Sequence, residues 1–234
     1  RFRLDVPGAW DMAPNLYESL SRHSAAPFMA YVDAGDHAIL SASPERFLEL
    51  RTPHVDTRPI KGTRPRGATP EEDRRLAEEL VSSDKDRAEN VMIVDVLRND
   101  LGRVCETGSI QAPGVCELEV FPQVYHLTST VTGKLAEGHD AFDLLHACFP
   151  GGSITGAPKI RAMEILESIE PVRRHVYTGA IGWMDWDGDA DWNVAIRTAC
   201  VTQDAILFGA GGGVVADSDP DAEYRETLVK AEGL

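Results

Sequence analysis

Positive charge is scarce in this 234-residue chain: 23 Lys and Arg stand against 38 Asp and Glu, a net charge of −15. Phosphate backbones require a cationic face, so nucleic acid is excluded as the expected partner. No apolar run approaches the roughly 18 residues of a membrane span, and no membrane partner is expected. Arg1-Phe2-Arg3-Leu4-Asp5 lacks the pattern of a signal peptide. Cysteine is limited to Cys105, Cys116, Cys148 and Cys200, with no C-x-x-C pair and no histidine at zinc spacing. A chain of this size does not need disulfides, so these read as reduced, mostly buried thiols of a cytoplasmic protein. Internal repeats, low-complexity tracts and long linkers are also missing.

What is present describes an ordinary globular protein, 43% hydrophobic and 26% charged. Strand-like runs come first, at Pro27 to Val32, Ala38 to Ala42 and Phe47 to Leu50. Thr69-Pro70-Glu71-Glu72 predicts a helix start, with Thr69 as N-cap, Pro70 at N1 and Glu72 closing a capping box. A second helix is expected from Ser82-Ser83-Asp84 to about Leu101. Phe121 to Thr132 reads as a strand and Ala141 to Phe149 as a short helix. Pro150 to Ser153 is expected as a loop, and Ala157-Pro158 as the start of a helix ended by Pro171. Three strands around 177–186, 191–202 and 205–215 precede a last helix capped by Asp219-Pro220. Strands clustered at both ends, with helices between and after, favour an α+β fold with mainly antiparallel sheet.

One segment runs against the acidic balance. Arg58 to Arg66 carries four cations and no acid, a local positive site suited to an anionic small molecule. Within it, Lys61 is read either as part of a basic surface turn or as an amine made nucleophilic by neighbouring cations and shielding from water. Two acid pairs, Asp86 with Glu89 and Glu223 with Glu226, are each spaced i,i+3 and so share a helix face. They are either solvated faces or carboxylates able to share Mg²⁺, which takes oxygen ligands and keeps waters for a substrate. Lys230 extends the second face by a turn and mixes its charge.

Gly151, Gly152 and Gly156 flank Ser153-Ile154-Thr155 just before a helix start, where free N–H groups favour anions. Gly211, Gly212 and Gly213 lie in or at the end of a strand-like run, as a bulge or a place where a ligand approaches the backbone. Alternation along Asn193 to Ala199 puts Arg197 on the face of Asn193, Ala195 and Ala199, either paired to a neighbour or open to a carboxylate. His126, in an apolar strand, and Glu45, which could simply pair with Arg46, are the remaining candidates.

Taken together, Ser43-Pro44-Glu45-Arg46-Phe47, Pro59-Ile60-Lys61-Gly62-Thr63, Lys85 to Asn90, Ile93 to Asp100, Phe149 to Lys159 and Ala222 to Thr227 resemble the chorismate-utilising enzymes, in that family's order along the chain. The lysine of Pro59 to Thr63 is similar to the aminodeoxychorismate synthase branch, whereas anthranilate, isochorismate and salicylate synthases usually look like Ala-Gly-Thr or Ala-Gly-Ser there.

The resemblance implies large antiparallel sheets in a sandwich with outer helices, and one chorismate-binding catalytic domain over residues 1–234. It also implies that the family's N-terminal half is missing and that the last helix is cut short after Leu234. The activity implied is the amination of chorismate to 4-amino-4-deoxychorismate, for 4-aminobenzoate and folate. Lys61 is the implied nucleophile and Glu45 the general acid, with His126 near the leaving group. Mg²⁺ falls to Glu89 and Glu226, supported by Asp86 and Glu223. Thr155, Gly156, Ala157, Arg197, Gly211 to Gly213 and Lys230 are implied around the substrate. Ammonia would come from a separate glutamine amidotransferase subunit. Anthranilate synthase component I and a non-catalytic chorismate-binding fragment are the alternatives.

Overall fold

A computed structural model describes residues 1–216 and 218–232; Leu234, where the expected truncation was placed, lies outside them. The chain forms two compact units, one of Arg1–Glu45, Glu167–Ile181 and Asn193–Leu234, the other of Arg46–Leu166 and Gly182–Trp192.

The first unit is built on a five-stranded antiparallel sheet. Its strands are β1 (Phe2–Asp5), β2 (Phe28–Asp33), β3 (Ala38–Ser43), β11 (Thr198–Val201) and β12 (Ala205–Phe208), in the spatial order β1-β12-β11-β3-β2. Helix α1 (Ala9–His23) lies on this sheet, where Ala9 and Ala13 pack against Ala38, Leu40 and Val201. Sequence reading missed α1 because Pro14 sits inside it and removes an intrahelical bond. Burial of the small-residue face, with Trp10, Leu16 and Leu20 around it, outweighs that loss. Helix α7 (Pro220–Ala231) begins where expected, with Asp219 accepting from Ala222 N at 2.8 Å.

The second unit holds most of the other sheet, whose order is β6 (Ile60–Pro65), β8 (Val124–Lys134), β5 (His54–Arg58), β4 (Arg46–Arg51), β10 (Ala190–Val194) and β9 (Ala180–Met184). β7 (Gln111–Val120) pairs with β8 alone. It too was missed. Pro113 and Gly114 interrupt its pattern, and its register shifts on both sides of Gly114, which a strand bonded on one side tolerates. The expected strand from Phe121 therefore starts later, at Val124.

Helices α2 (Pro70–Ser82) and α3 (Asp84–Leu101) cover this sheet. Thr69 caps α2 by accepting from Glu72 N at 3.3 Å, but the Glu72 carboxylate reaches Ala68 N at 2.9 Å instead of Thr69, so the expected capping box is displaced by one residue. α3 buries Asn90, Ile93, Val94, Leu97, Asp100 and Leu101; each large apolar side chain among them contributes roughly 1.5–3 kcal/mol. Asn90 is fully buried and donates to Leu127 O at 3.1 Å, while its amide oxygen accepts from Ser129. That polar pair locks α3 to β8. α4 (Ala141–Cys148) has its Asp140 cap, and one helical turn, α5 (Gly152–Thr155), replaces part of the expected loop. α6 (Lys159–Ile169) follows with no fully buried residue; Ile160 is 72% exposed.

Two expectations fail at the same corner. The strand predicted over 191–202 is two strands in different sheets, β10 and β11, and Arg197 lies between them at φ 47°. The strand predicted over 205–215 stops at Phe208, so Gly211 to Gly213 lie past it in irregular backbone. The α+β class with antiparallel sheets stands.

Candidate active site

In the second unit Lys61 sits on β6, where pairing with β8 slips between Ile60↔Thr128 and Thr63↔His126. The slip is made by Gly62 at φ 86°. A Cβ there would lie 2.8 Å from Leu80 Cδ1 and 3.0 Å from Asp86 Cβ, so glycine is what lets α2 and α3 close on this strand. Lys61 is half-buried, and its ammonium donates to Ser153 O in α5 at 2.8 Å. The other cations of the 58–66 segment are matched by acids. Arg58 pairs with Glu119 at 2.6 Å, Arg64 with Glu79 at 2.8 Å and Asp86 at 3.2 Å, and Arg66 with Asp73 at 2.6 Å. The isolated positive patch expected from the sequence is therefore neutralised at close range by acids from α2, α3 and β7.

Arg66, Asp73 and Tyr125 form a clamp beside this strand. Asp73 takes two bonds from Arg66, one from Tyr125 Oη at 2.7 Å and one from Gly67 N at 2.9 Å. The Arg66 bonds above all, then the Tyr125 hydroxyl, hold the Asp73 carboxyl well below the usual range. Next to Tyr125, His126 is buried; its Nδ1 lies 2.9 Å from Thr63 Oγ1 and its ring meets Phe121 edge-on at 5.2 Å.

The segment facing Lys61 is tightly constrained. Gly151 lies against the Phe47 ring and Gly152 against Val96, where a Cβ would come within 2.7 Å. Thr155 Oγ1 donates to Gly151 O at 2.9 Å, and Gly156, at φ 116°, donates its N–H to Gly152 O at 3.1 Å. The Gly156 N–H expected to meet an anion is thus engaged within its own turn. Ala157 lines a groove of about 760 Å³ along α3 with Val91, Met92, Asp95, Val96 and Pro158. On α3, Asp86 is bound by Arg64, and Glu89 has Lys85 at 4.0 Å.

In the first unit Glu45 is 6% exposed. Its N–H meets Ser43 Oγ at 3.3 Å and its carbonyl accepts from Val194 N at 3.0 Å. Arg46, the neighbour considered from the sequence, is bonded to Glu49 at 2.9 Å and Asp191 at 3.1 Å. Arg197 is exposed and, being outside any strand, does not share the predicted face with Asn193, Ala195 and Ala199; Asn193 is buried and bonded to Ile181 N and Phe28 O.

Gly211 to Gly213 meet α7. Lys230 Nζ lies 2.5 Å from Glu226 Oε1 and donates to Gly211 O at 3.3 Å. A Cβ on Gly212 would stand 2.9 Å from Glu223 Oε2 and 3.4 Å from Glu226 Oε1, and Ser218 Oγ donates to Glu223 Oε1 at 2.6 Å. Two carboxylates, an ammonium and a glycine backbone that the sequence presented as separate features converge here. Tyr177, which sequence reading passed over, packs on Gly209 and has its hydroxyl 3.6 Å from the Cβ position of Gly211; its phenol is pushed upward by burial. Among the described residues no group of three or more His, Cys, Asp or Glu is arranged to hold a metal.

Comparison with known proteins matches the family model for chorismate binding enzyme to residues 1–234. Aminodeoxychorismate synthase component 1 of Salmonella typhimurium is 52% identical over 218 residues, covering 93% of this chain and 48% of that protein. Anthranilate synthase component 1 of Aquifex aeolicus is 44% identical over 234 residues, covering 100% and 47%. The crystal structure of anthranilate synthase component I from Streptococcus pneumoniae superposes with a TM-score of 0.84 at 39% identity, covering 99% of this chain and 50% of that one. The chain spans about half the length of the curated relatives it matches. With every residue inside the matched model, the chain belongs to the chorismate binding enzyme family.

Proposed function

We propose that the chain is the chorismate-binding catalytic part of an enzyme that converts chorismate and ammonia into 4-amino-4-deoxychorismate and water, on the route to 4-aminobenzoate and folate. The observation that carries this reading is Lys61, a half-buried amine on a bulged strand, held 2.8 Å from Ser153 O. Identity of 52% to an aminodeoxychorismate synthase component 1 supports the same reading. As a free amine, Lys61 Nζ adds to ring C2. The displaced alkene pair moves toward C4 and the C4–O bond breaks, while Glu45 gives its proton so that water leaves. Ammonia then adds at C4, the pair returns, the C2–N bond breaks and Lys61 is released; the surplus ammonia proton goes back to Glu45. His126, fixed by Thr63, orients the group that departs.

Chorismate is a dianion. In the first unit Arg197, Lys230 and the backbone of Gly211 to Gly213 would be its candidates for the enolpyruvyl carboxylate, and in the second unit Thr155 and the backbone around Gly156 and Ala157 would be. The convergence of Glu223 and Glu226 on Gly212 supplies hard oxygen donors of the type Mg²⁺ prefers. Glu89 and Glu226 would hold the ion, with Asp86 and Glu223 in support. When bound, Mg²⁺ supplies positive charge that neutralises the ring carboxylate.

Ammonia would come from a partner glutamine amidotransferase subunit. The designation component 1 of the relatives supports a second component. The chain's own thiols do not suit glutaminase chemistry, since burial pushes Cys105 up to about 11 and Cys148 up to about 12, away from the thiolate form. A cytoplasmic location is part of this reading; among the described residues no helix is long and apolar enough to cross a membrane.

Identity of 44% over this chain to part of an anthranilate synthase component 1 supports a second reading. Mass spectrometry of the product from chorismate, Mg²⁺ and ammonium separates the two: aminodeoxychorismate supports the first, anthranilate the second. Lys61→Ala should lower kcat by at least about 10³-fold. Retained aminodeoxychorismate formation by that variant sinks the nucleophile role. Mg²⁺-dependent chorismate binding without turnover identifies a non-catalytic domain.

A further inference from the structure

The segment that accepts the Lys61 ammonium is fastened at both ends by a single side chain. Lys159, the first residue of α6, points back across the turn, with its Nζ 2.8 Å from Cys148 O and 2.5 Å from Asp100 Oδ2. One ammonium thereby joins the last residue of α4 to the first of α6 and closes the intervening residues 149–158 into a loop. Asp100 ties that loop to α3, and its other oxygen accepts from Arg103 at 2.7 Å. Arg103 also donates to Ala147 O, beside the Cys148 carbonyl that Lys159 takes. The Asp100 and Lys159 side chains are only 5% and 13% exposed, so both charges are fixed and weakly screened by water. Within the closed loop, Val96 of α3 meets Gly152, and Ser153 O receives Lys61.

We infer that Lys159 and Asp100 are positioning residues that hold Ser153 O where it aims the Lys61 amine, while staying outside contact with the substrate. The inference rests on the nucleophile reading of Lys61 for its catalytic consequence, but its structural claim stands apart from it. The α3 helix that presents Asp86 and Glu89 also carries Asp100, so one rigid element sets both the acid pair and the loop opposite Lys61. A carboxylate at the end of one helix and a lysine at the start of another give no sign in sequence that they meet.

The test measures Lys61 itself as well as turnover, in the full chain. Competitive acetylation with acetic anhydride, mapped by mass spectrometry, reads the accessibility and freedom of the Lys61 amine against Lys134, a half-exposed internal reference. Lys159→Met should raise Lys61 labelling relative to Lys134 by about three-fold or more. It should lower kcat about 10²-fold, the scale expected for a reacting group displaced by roughly 1 Å, and leave the chorismate KM within about three-fold. Lys159→Arg, which keeps the charge, should recover most of kcat and the parent labelling ratio. Unchanged labelling in folded Lys159→Met overturns the inference, as does a loss that follows the folded fraction alone.

If Lys159→Met does not fold, Asp100→Glu keeps the charge and lengthens the arm. Raised Lys61 labelling in that variant supports positioning and parent-like labelling rejects it. Should Lys61→Ala keep its turnover, the nucleophile reading fails, yet the labelling ratio still decides whether Lys159 and Asp100 position Ser153.

Discussion

Helices α3 and α7 carry acid pairs with identical i,i+3 spacing, and the structure treats them differently. α3 is an 18-residue helix with six buried positions, and its Asp86 and Glu89 side chains are 16% and 13% exposed. α7 has no buried residue; Tyr224 and Val229 are 64% and 66% exposed, and Glu226 keeps 45% of its side chain in solvent. Spacing states which carboxylates share a face, and packing decides whether that face is built into a core. The α3 pair is fixed by the same contacts that stabilise its unit. The α7 pair is held by a cap, by Lys230 and by the glycine backbone, an arrangement with more freedom to rearrange around a ligand.

The comparison is broken most easily through the apolar residues. Leu97→Ala in α3 should cost about 2–5 kcal/mol in urea denaturation, because it leaves a cavity in a packed interior. Val229→Ala in α7 should stay within about 0.5 kcal/mol. Equal costs would mean that the α7 face is buried in solution.

The glycines beside each pair come next. Gly62→Ala must put a Cβ at positive φ against Leu80 and Asp86 and should cost roughly 1–3 kcal/mol. Gly212→Ala meets only carboxylate ends that can swing aside. Its denaturation midpoint should move little, while Mg²⁺ affinity, measured by calorimetry with chorismate present, falls.

pH sharpens the contrast between engaged and strained charges within the second unit. Asp73 is held below its ordinary value of 3.8 by Arg66 and Tyr125, so its contribution is present above that pH and is lost as acid is added. Asp73→Asn should lower the Tm at pH 7, with the difference shrinking below about pH 4. Asp56 is displaced upward by burial, and its Oδ1 finds no hydrogen-bond partner. A raised carboxyl favours folding only while protonated, and that benefit disappears as pH rises through its folded value. Asp56→Asn should therefore raise the Tm at pH 7 and change little near pH 4. Melting curves across that range check both signs. The smallest effect is expected at Lys230→Met, within about 0.5 kcal/mol and screened by salt, since its pair with Glu226 is exposed.

Much of the helical skeleton was legible because local chemistry announces it. Thr69-Pro70, Ser83 and Asp219-Pro220 all mark the starts they were expected to mark. The failures occurred where local preference and tertiary burial disagree. α1 carries a proline, β7 carries a proline and a glycine, and the run through Arg197 changes sheets without an obvious punctuating residue. Candidate site residues were legible by type and order, whereas their partners were not. Nothing in the sequence pairs Lys61 with a backbone carbonyl 92 positions away, or Lys159 with Asp100.

By itself the sequence determined the antiparallel α+β class, the free and mostly buried thiols, the family and the inventory of amines and carboxylates. Those depend on residue type, on periodicity and on motifs whose spacing survives in one dimension. Only the tertiary structure decided that the arginines around Lys61 are neutralised, that Arg197 stands at a corner, that Glu226, Lys230 and Gly211 to Gly213 converge, and that one lysine closes the loop opposite another. Each of these joins groups from separate elements, and at such distances charge and hydrogen bonding act through space, without regard to separation along the chain.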